Sequence, residues 1–116
     1  MGKTEDYDIL VTLQNAKVDS VDDFIHLWEN DDAFQKMIRA MTRFCEGLGV
    51  LVKENLLDIR FVALMWAGPI RMFWDMFKPI LPSLAKRWNY PRLWSETASL
   101  CRELIKYMEK HPELAT

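Results

Sequence analysis

The chain has little of what most recognisable function classes require. Two cysteines in 116 residues cannot make a disulfide scaffold, and two histidines, far apart, are poor material for a metal site. With four glycines and five prolines it is neither collagen-like nor low-complexity, and a hydrophobic fraction of 50% excludes intrinsic disorder. Neither charge sign dominates. A formal net charge of -2 and a pI near 5.7 rule out a strongly basic nucleic-acid binder. Apolar runs are short: the longest uncharged stretch, Phe61 to Ile70, is closed by Arg60 and Arg71. It reaches about half the ~20 apolar residues of a spanning helix. No apolar h-region of a signal peptide follows Lys3, Glu5, Asp6 and Asp8. Asp6 stands where a myristoylation signal would carry Ser or Thr. The expected location is the cytoplasm, with Cys45 and Cys101 as reduced, buried thiols.

What the chain does have is bulk. Five Trp, six Phe, three Tyr and seven Met give a 13.7 kDa chain more large apolar side chains than a small helical domain easily buries. The expected organisation is one helical domain over residues 1–116. Its N-terminal segment, 1–19, is weakly helical, and 111–116 form a mobile tail.

Helical periodicity runs throughout, and there is no hairpin signal. Residues 5–16, with Tyr7, Ile9, Leu10, Val11 and Leu13, make a weak helix because of their β-branched content. Ser20, followed by Val21-Asp22-Asp23, caps the next helix, which carries Val21, Phe24, Ile25 and Trp28 at helical spacing. Asp31 or Asp32 caps a long helix reaching about Glu54, with apolar positions from Phe34 through Met41 and Cys45 to Val52. Gly47 and Gly49 inside it point either to a close helix crossing or to a bend, and Asn55 suits a left-handed end. Asp58 caps a helix whose stretch 59–67 is apolar on nearly every side, the mark of a central element. Gly68-Pro69 breaks it, and a helix from Pro69 to Trp88 follows, kinked or interrupted near Lys78 by Pro79 and Pro82. Pro91 opens the last helix, to Lys110. The fold class is therefore all-α: a compact bundle of five or six helices around a central apolar one.

No residue set points to catalysis. There is no Cys-x-x-Cys, His-x-x-x-His or Glu-x-x-His pair, no nucleophile elbow and no Gly-rich loop at a helix start. No catalytic residue, metal or cofactor is expected, and His26 among Asp22, Asp23 and Glu29 reads as a solvated histidine. Arg71, with Asp75 at i+4, is either an anion-binding residue in a cleft or one half of a surface pair. Charge is uneven: up to Glu46 ten acids face five bases, so that part carries -5 and the remainder +3. The basic C-terminal residues Lys86, Arg87, Arg92, Arg102, Lys106 and Lys110 are diluted by Glu96, Glu103 and Glu109. They suit attraction to the acidic N-terminal helices better than nucleic acid.

The run from Phe44-Cys45-Glu46-Gly47-Leu48-Gly49 through Asn55 to Asp58 resembles a family of small helical domains of unknown function found in bacteria and archaea. That family's pattern is Phe-Glu-x-x-Gly, a hydrophobic run, a turn and an acidic helix cap. Trp74, Pro79, Arg87 and Asn89-Tyr90-Pro91-Arg92-Leu93-Trp94 extend the likeness over about residues 44–104. The chain departs from it at Asn55, where relatives have Gly, and at Thr97-Ala98, where they carry an aromatic–acid pair. Some relatives carry the domain after membrane segments, which this sequence lacks. The resemblance implies an all-helical protein with no assigned activity or catalytic residue.

The expected function is a non-catalytic interaction or regulatory module that binds a protein partner or itself as a homodimer. Its candidate surface comprises Trp66, Arg71, Trp74, Trp88 and Trp94. The alternative is a small apolar or anionic ligand held between helices near Arg71. A third reading is nucleic-acid binding through the C-terminal helix.

Overall fold

The computed structural model describes residue 15 and residues 17–115. Among the described residues four helices of ten or more residues carry the fold, where five or six helices were expected: α1 (Val21–Asn30), α2 (Asp32–Lys53), α3 (Ile59–Phe77) and α5 (Ser95–Lys110). A two-turn helix, α4 (Leu81–Arg87), follows a single 3₁₀ turn at Lys78–Ile80, and a second 3₁₀ turn covers Pro112–Ala115. The described residues contain no strand. The helix expected over residues 5–16 lies outside the described residues.

Local chemistry starts and stops these helices. Ser20 Oγ accepts from the Asp23 amide at 3.1 Å, and Asp23 reaches back to the Asp19 amide at 3.0 Å. Asp31 accepts from the Phe34 amide, and Asp58 from that of Arg60. At the end of α2 the Asn55 backbone is left-handed (φ 59°), with the Leu56 amide bonded to Leu51 O at 2.8 Å and that of Asn55 to Val52 O. The same closure ends α4 at Asn89, φ 51°. Pro79 and Pro82 sit in the first turns of their elements, where no donor is missed, so the helix stops at Phe77 and restarts.

Two expected boundaries move. Gly68-Pro69 does not break α3, which runs continuously through both residues. Proline removes only one helical donor, and burial of Ile70, Phe73, Trp74 and Phe77 on the following turns outweighs that loss. The last helix opens at Ser95, not Pro91, because residues 91–94 form a turn that delivers Leu93 and Trp94 to the core.

The centre differs as well. Helix α5 packs along both α2 and α3, so it is the middle element. The stretch 59–67 is peripheral: only Val62 and Ala63 are buried there. Its all-round apolarity therefore provides one face for the core and leaves a second uncovered. The core itself is aromatic. Phe24 meets Phe34, Phe77 and Trp94 edge-on, and Phe73 meets Trp94 at 5.4 Å between centroids.

The crossing of α2 over α5 is unusually close. A Cβ on Gly49 would collide with the Glu96 carbonyl oxygen and stand 2.8 Å from its carbon, whereas one on Gly47 would meet nothing. Gly49→Ala is expected to cost about 2 kcal/mol or more, because the clash is with backbone. Gly47→Ala should gain up to ~1 kcal/mol from helix propensity. Denaturant unfolding of both variants checks the contrast; equal effects of either sign would contradict it.

Candidate functional site

The α2–α3 hairpin carries six of the seven large hydrophobic side chains exposed among the described residues. They are Val50, Leu51, Leu56, Phe61, Leu64 and Met65; the seventh is Tyr90. Near the turn the exposed uncharged positions are Gly47, Val50 and Leu51 on α2 and Phe61, Leu64, Met65 and Gly68 on α3. Each set repeats every three or four residues, so each makes a single stripe. The two stripes are joined by aromatic rings. Half-buried Phe44 meets Trp66 edge-on at 5.2 Å, and Trp66 meets Phe61 at 5.4 Å. Leu56, at the tip, is 74% exposed, and Leu64 and Met65 are 56% and 57% exposed. The exposed fractions amount to about three whole side chains, comparable with the roughly 300–600 Å² of the largest patch on a typical monomer.

The hairpin is held rigidly. Asn55 and Asp58 close its two helix ends, and Arg60 donates to the Tyr107 hydroxyl of α5 at 2.9 Å. That hydrogen bond leads the causes that raise the Arg60 guanidinium above its ordinary value. Deeper in, Glu46 of α2 replaces the missing cap of α5. Trp94, at the cap position, is left-handed and offers no side-chain bond. Instead, Glu46 Oε2 accepts from the Thr97 amide at 2.6 Å and from its hydroxyl at 3.0 Å. Thr97 is fully buried, so both donors depend on this one oxygen. Lys53 Nζ lies 3.5 Å from Glu96 Oε1 and adds a cross-link at the end of α2.

The five residues singled out from the sequence do not form one surface. Trp66 is half-buried in the hairpin face. Trp74 and Trp94 belong to the core: Trp74 shares the inward face of α3 with Phe73 and Phe77, and Trp94 Nε1 donates to Thr42 Oγ1 at 2.8 Å. Trp88 packs on Phe24 and Trp28, next to Arg39, whose guanidinium lies 5.0 Å above the Trp28 ring. Arg71 lies elsewhere, on a groove of about 630 Å³ lined by Ala67, Met72, Asp75, Met76 and Met108, with Leu114 of the C-terminal turn closing one side. Arg71 and Asp75 form no ion pair with each other. Periodicity missed the hairpin residues because an apolar position on a helix reads as core. The one legible signal was the excess of apolar faces in the stretch 59–67.

Among the described residues, no three His, Cys, Asp or Glu side chains converge as metal ligands, and no helix is long and apolar enough to cross a membrane. His26 is exposed, its ring beside the Asn30 amide. An ion pair of 2.8 Å joins Arg87 to Asp22, a direct contact of the basic and acidic parts of the chain. Cys45 and Cys101 are free and buried. Burial pushes both thiols up to about 12, aided at Cys45 by Cys101 and Glu46 and at Cys101 by Asp75.

Fold and site together define an all-helical domain with a solid aromatic core and a projecting apolar hairpin. Residues 4–104 match the family described as domain of unknown function DUF4760, and the chain belongs to that family. No curated protein and no solved structure matches it.

Two outcomes follow. Truncating Glu46 to Ala leaves a buried amide and hydroxyl unpaired and should cost about 2–3 kcal/mol in denaturant unfolding. A cost near zero would contradict the capping role. Neither thiol should react with a disulfide reagent at pH 8 in the folded protein, and both should react in denaturant. The folded values are raised, so stability from the neutral thiols holds below pH 9.0 and is lost as the pH climbs through about 12. Rapid labelling in the native state would overturn this.

Proposed function

We propose that the protein is a non-catalytic interaction or regulatory module of the cytoplasm that docks through the apolar face of its α2–α3 hairpin. The observation that carries this reading is the clustering of Val50, Leu51, Leu56, Phe61, Leu64 and Met65 on one rigid hairpin. Leaving these side chains in water forgoes burial worth about 1.5–3 kcal/mol for each fully covered one. Exposed patches of this size mark binding surfaces in soluble proteins.

The groove beside Arg71 supports a second reading, a small apolar anion bound between α3 and α5. Three methionine walls suit a flexible apolar chain, and the Arg71 guanidinium, which has no ion-pair partner among the described residues, suits its carboxylate. The neighbouring tryptophans take no part, since Trp66 and Trp74 do not line it.

Leu64→Glu separates these readings. It should leave the melting temperature nearly unchanged, as an exposed position allows, while abolishing the fluorescence of an apolar dye bound to the hairpin. A loss of stability like that of a core truncation would mean the face is used inside the chain. For the groove, medium-chain carboxylates should bind and Arg71→Ala should weaken them about tenfold or more, read by calorimetry. No heat at millimolar ligand would dismiss the second reading.

A further inference from the structure

We infer that the cleft between the tryptophans Trp28 and Trp88 and the exposed arginines Arg39 and Arg43 binds an aromatic phosphomonoester, a flat ring carrying one phosphate. None of its residues belongs to the hairpin face or to the Arg71 groove, so the inference stands apart from both readings above.

The cleft forms where α1, α2, the end of α4 and the turn at residues 91–94 meet. Its apolar wall comes from Trp28, Trp88 and Leu93, with the two indoles 5.3 Å apart between centroids. Arg39 and Arg43, one turn apart on α2, line it too, and the Arg39 guanidinium is held 5.0 Å above the Trp28 ring. Stacking uses the face of a guanidinium and leaves its N–H edge free to grip an oxyanion. Thr42, on the same side of α2, accepts from Trp94 Nε1 at 2.8 Å, and its own hydroxyl proton has no acceptor among the described residues. One more donor is therefore left for a ligand oxygen. The cleft holds about 280 Å³. Small-molecule sites run ~300–1,000 Å³, so the space suits one ring and its headgroup.

Charge selects the ligand. Neither Arg39 nor Arg43 has an ion-pair or hydrogen-bond partner among the described residues, and no acid lines the cleft. The acids nearest in the chain are otherwise engaged: Glu46 holds Thr97, Asp22 pairs with Arg87, and Asp31 caps α2. Glu29 and Asp32 are exposed and lie outside the lining. Two other grooves mix signs. Arg71 shares its groove with Asp75, and Lys53 shares the one beside the α2–α3 turn with Asp58 and Glu103. Like charges one turn apart on a helix repel, and an anion between Arg39 and Arg43 removes that cost. Two guanidiniums match the charge of about -1.5 to -2 on a phosphate monoester at pH 7, whereas a carboxylate leaves one of them unpaired. The indole and leucine wall beside them suits a ring better than a bare phosphate.

Calorimetry and intrinsic tryptophan emission on the full chain, with phenyl phosphate as the probe, test this. The expected result is saturable binding at low salt that changes the emission, since two of the walls are indoles. Arg39→Gln and Arg43→Gln should each weaken it about tenfold with little change in melting temperature, as exposed positions allow. Arg102→Gln, on an exposed position of α5, and Leu64→Glu, on the hairpin face, should leave it unchanged. Affinity should fall from about pH 7 to pH 5, because the phosphate loses its second negative charge near pH 6 while the arginines stay protonated. Inorganic phosphate and benzoate should each bind about tenfold more weakly or worse. A phosphotyrosine peptide run in parallel identifies the source: tighter binding than phenyl phosphate means a protein-borne phosphate, weaker binding a free small molecule, and both uphold the site. No response at millimolar phenyl phosphate would overturn the site, as would binding that neither arginine variant weakens. Inorganic phosphate or benzoate binding as tightly as phenyl phosphate would overturn the ligand class.

Discussion

The structure depends on one contact, the crossing of α2 and α5 at Gly49 and Glu96. Helix α5 has no cap of its own, since Trp94 spends its backbone on a left-handed turn and its side chain on the core. Only a carboxylate from another helix can satisfy the buried Thr97 amide and hydroxyl, and Glu46 reaches them because α2 lies close enough. It lies that close because Gly49, one turn on from Glu46, has no side chain. Capping and packing are therefore one device: a larger residue at Gly49 would lift α2 away and draw Glu46 off its donors.

From that crossing the rest of the arrangement follows. With α5 fixed against α2, helix α3 packs on the other side of α5 and buries Val62, Ala63, Ile70, Phe73, Trp74 and Phe77. The first turns of α3 are apolar on more than one side, yet only one side finds the core. The remaining side joins the last turns of α2 in the hairpin face. Exposure of Phe61, Leu64 and Met65 thus does not come from loose packing. It belongs to a segment that is capped at both ends of its turn and tied to α5 through Tyr107.

Helix caps were legible from the sequence because they are local. Ser20, Asp31, Asn55 and Asp58 each act within a few residues of their position, and the left-handed end at Asn55 needs only its own backbone. The two glycines in α2 left a close crossing and a bend equally open; Gly49 makes a crossing, Gly47 faces open space, and no spacing rule distinguishes them. Prolines misled at Gly68-Pro69 and Pro91, since tertiary burial decided where those helices ran. The candidate site was harder still. Tryptophan draws attention by size, yet Trp74 and Trp94 are core, while the exposed leucines and Met65 carry no sequence mark. Glu46 was the most hidden of all, because a cap donated from 51 residues away has no local signature.

Amide hydrogen exchange at Thr97 tests the central crossing most directly. First-turn amides of a helix have no intrahelical partner and ordinarily exchange fast. The account predicts that the Thr97 amide exchanges as slowly as the buried middle of α5, at the rate of global unfolding, because Glu46 and the overlying α2 protect it. Exchange at the fast rate of an ordinary first-turn amide would contradict it.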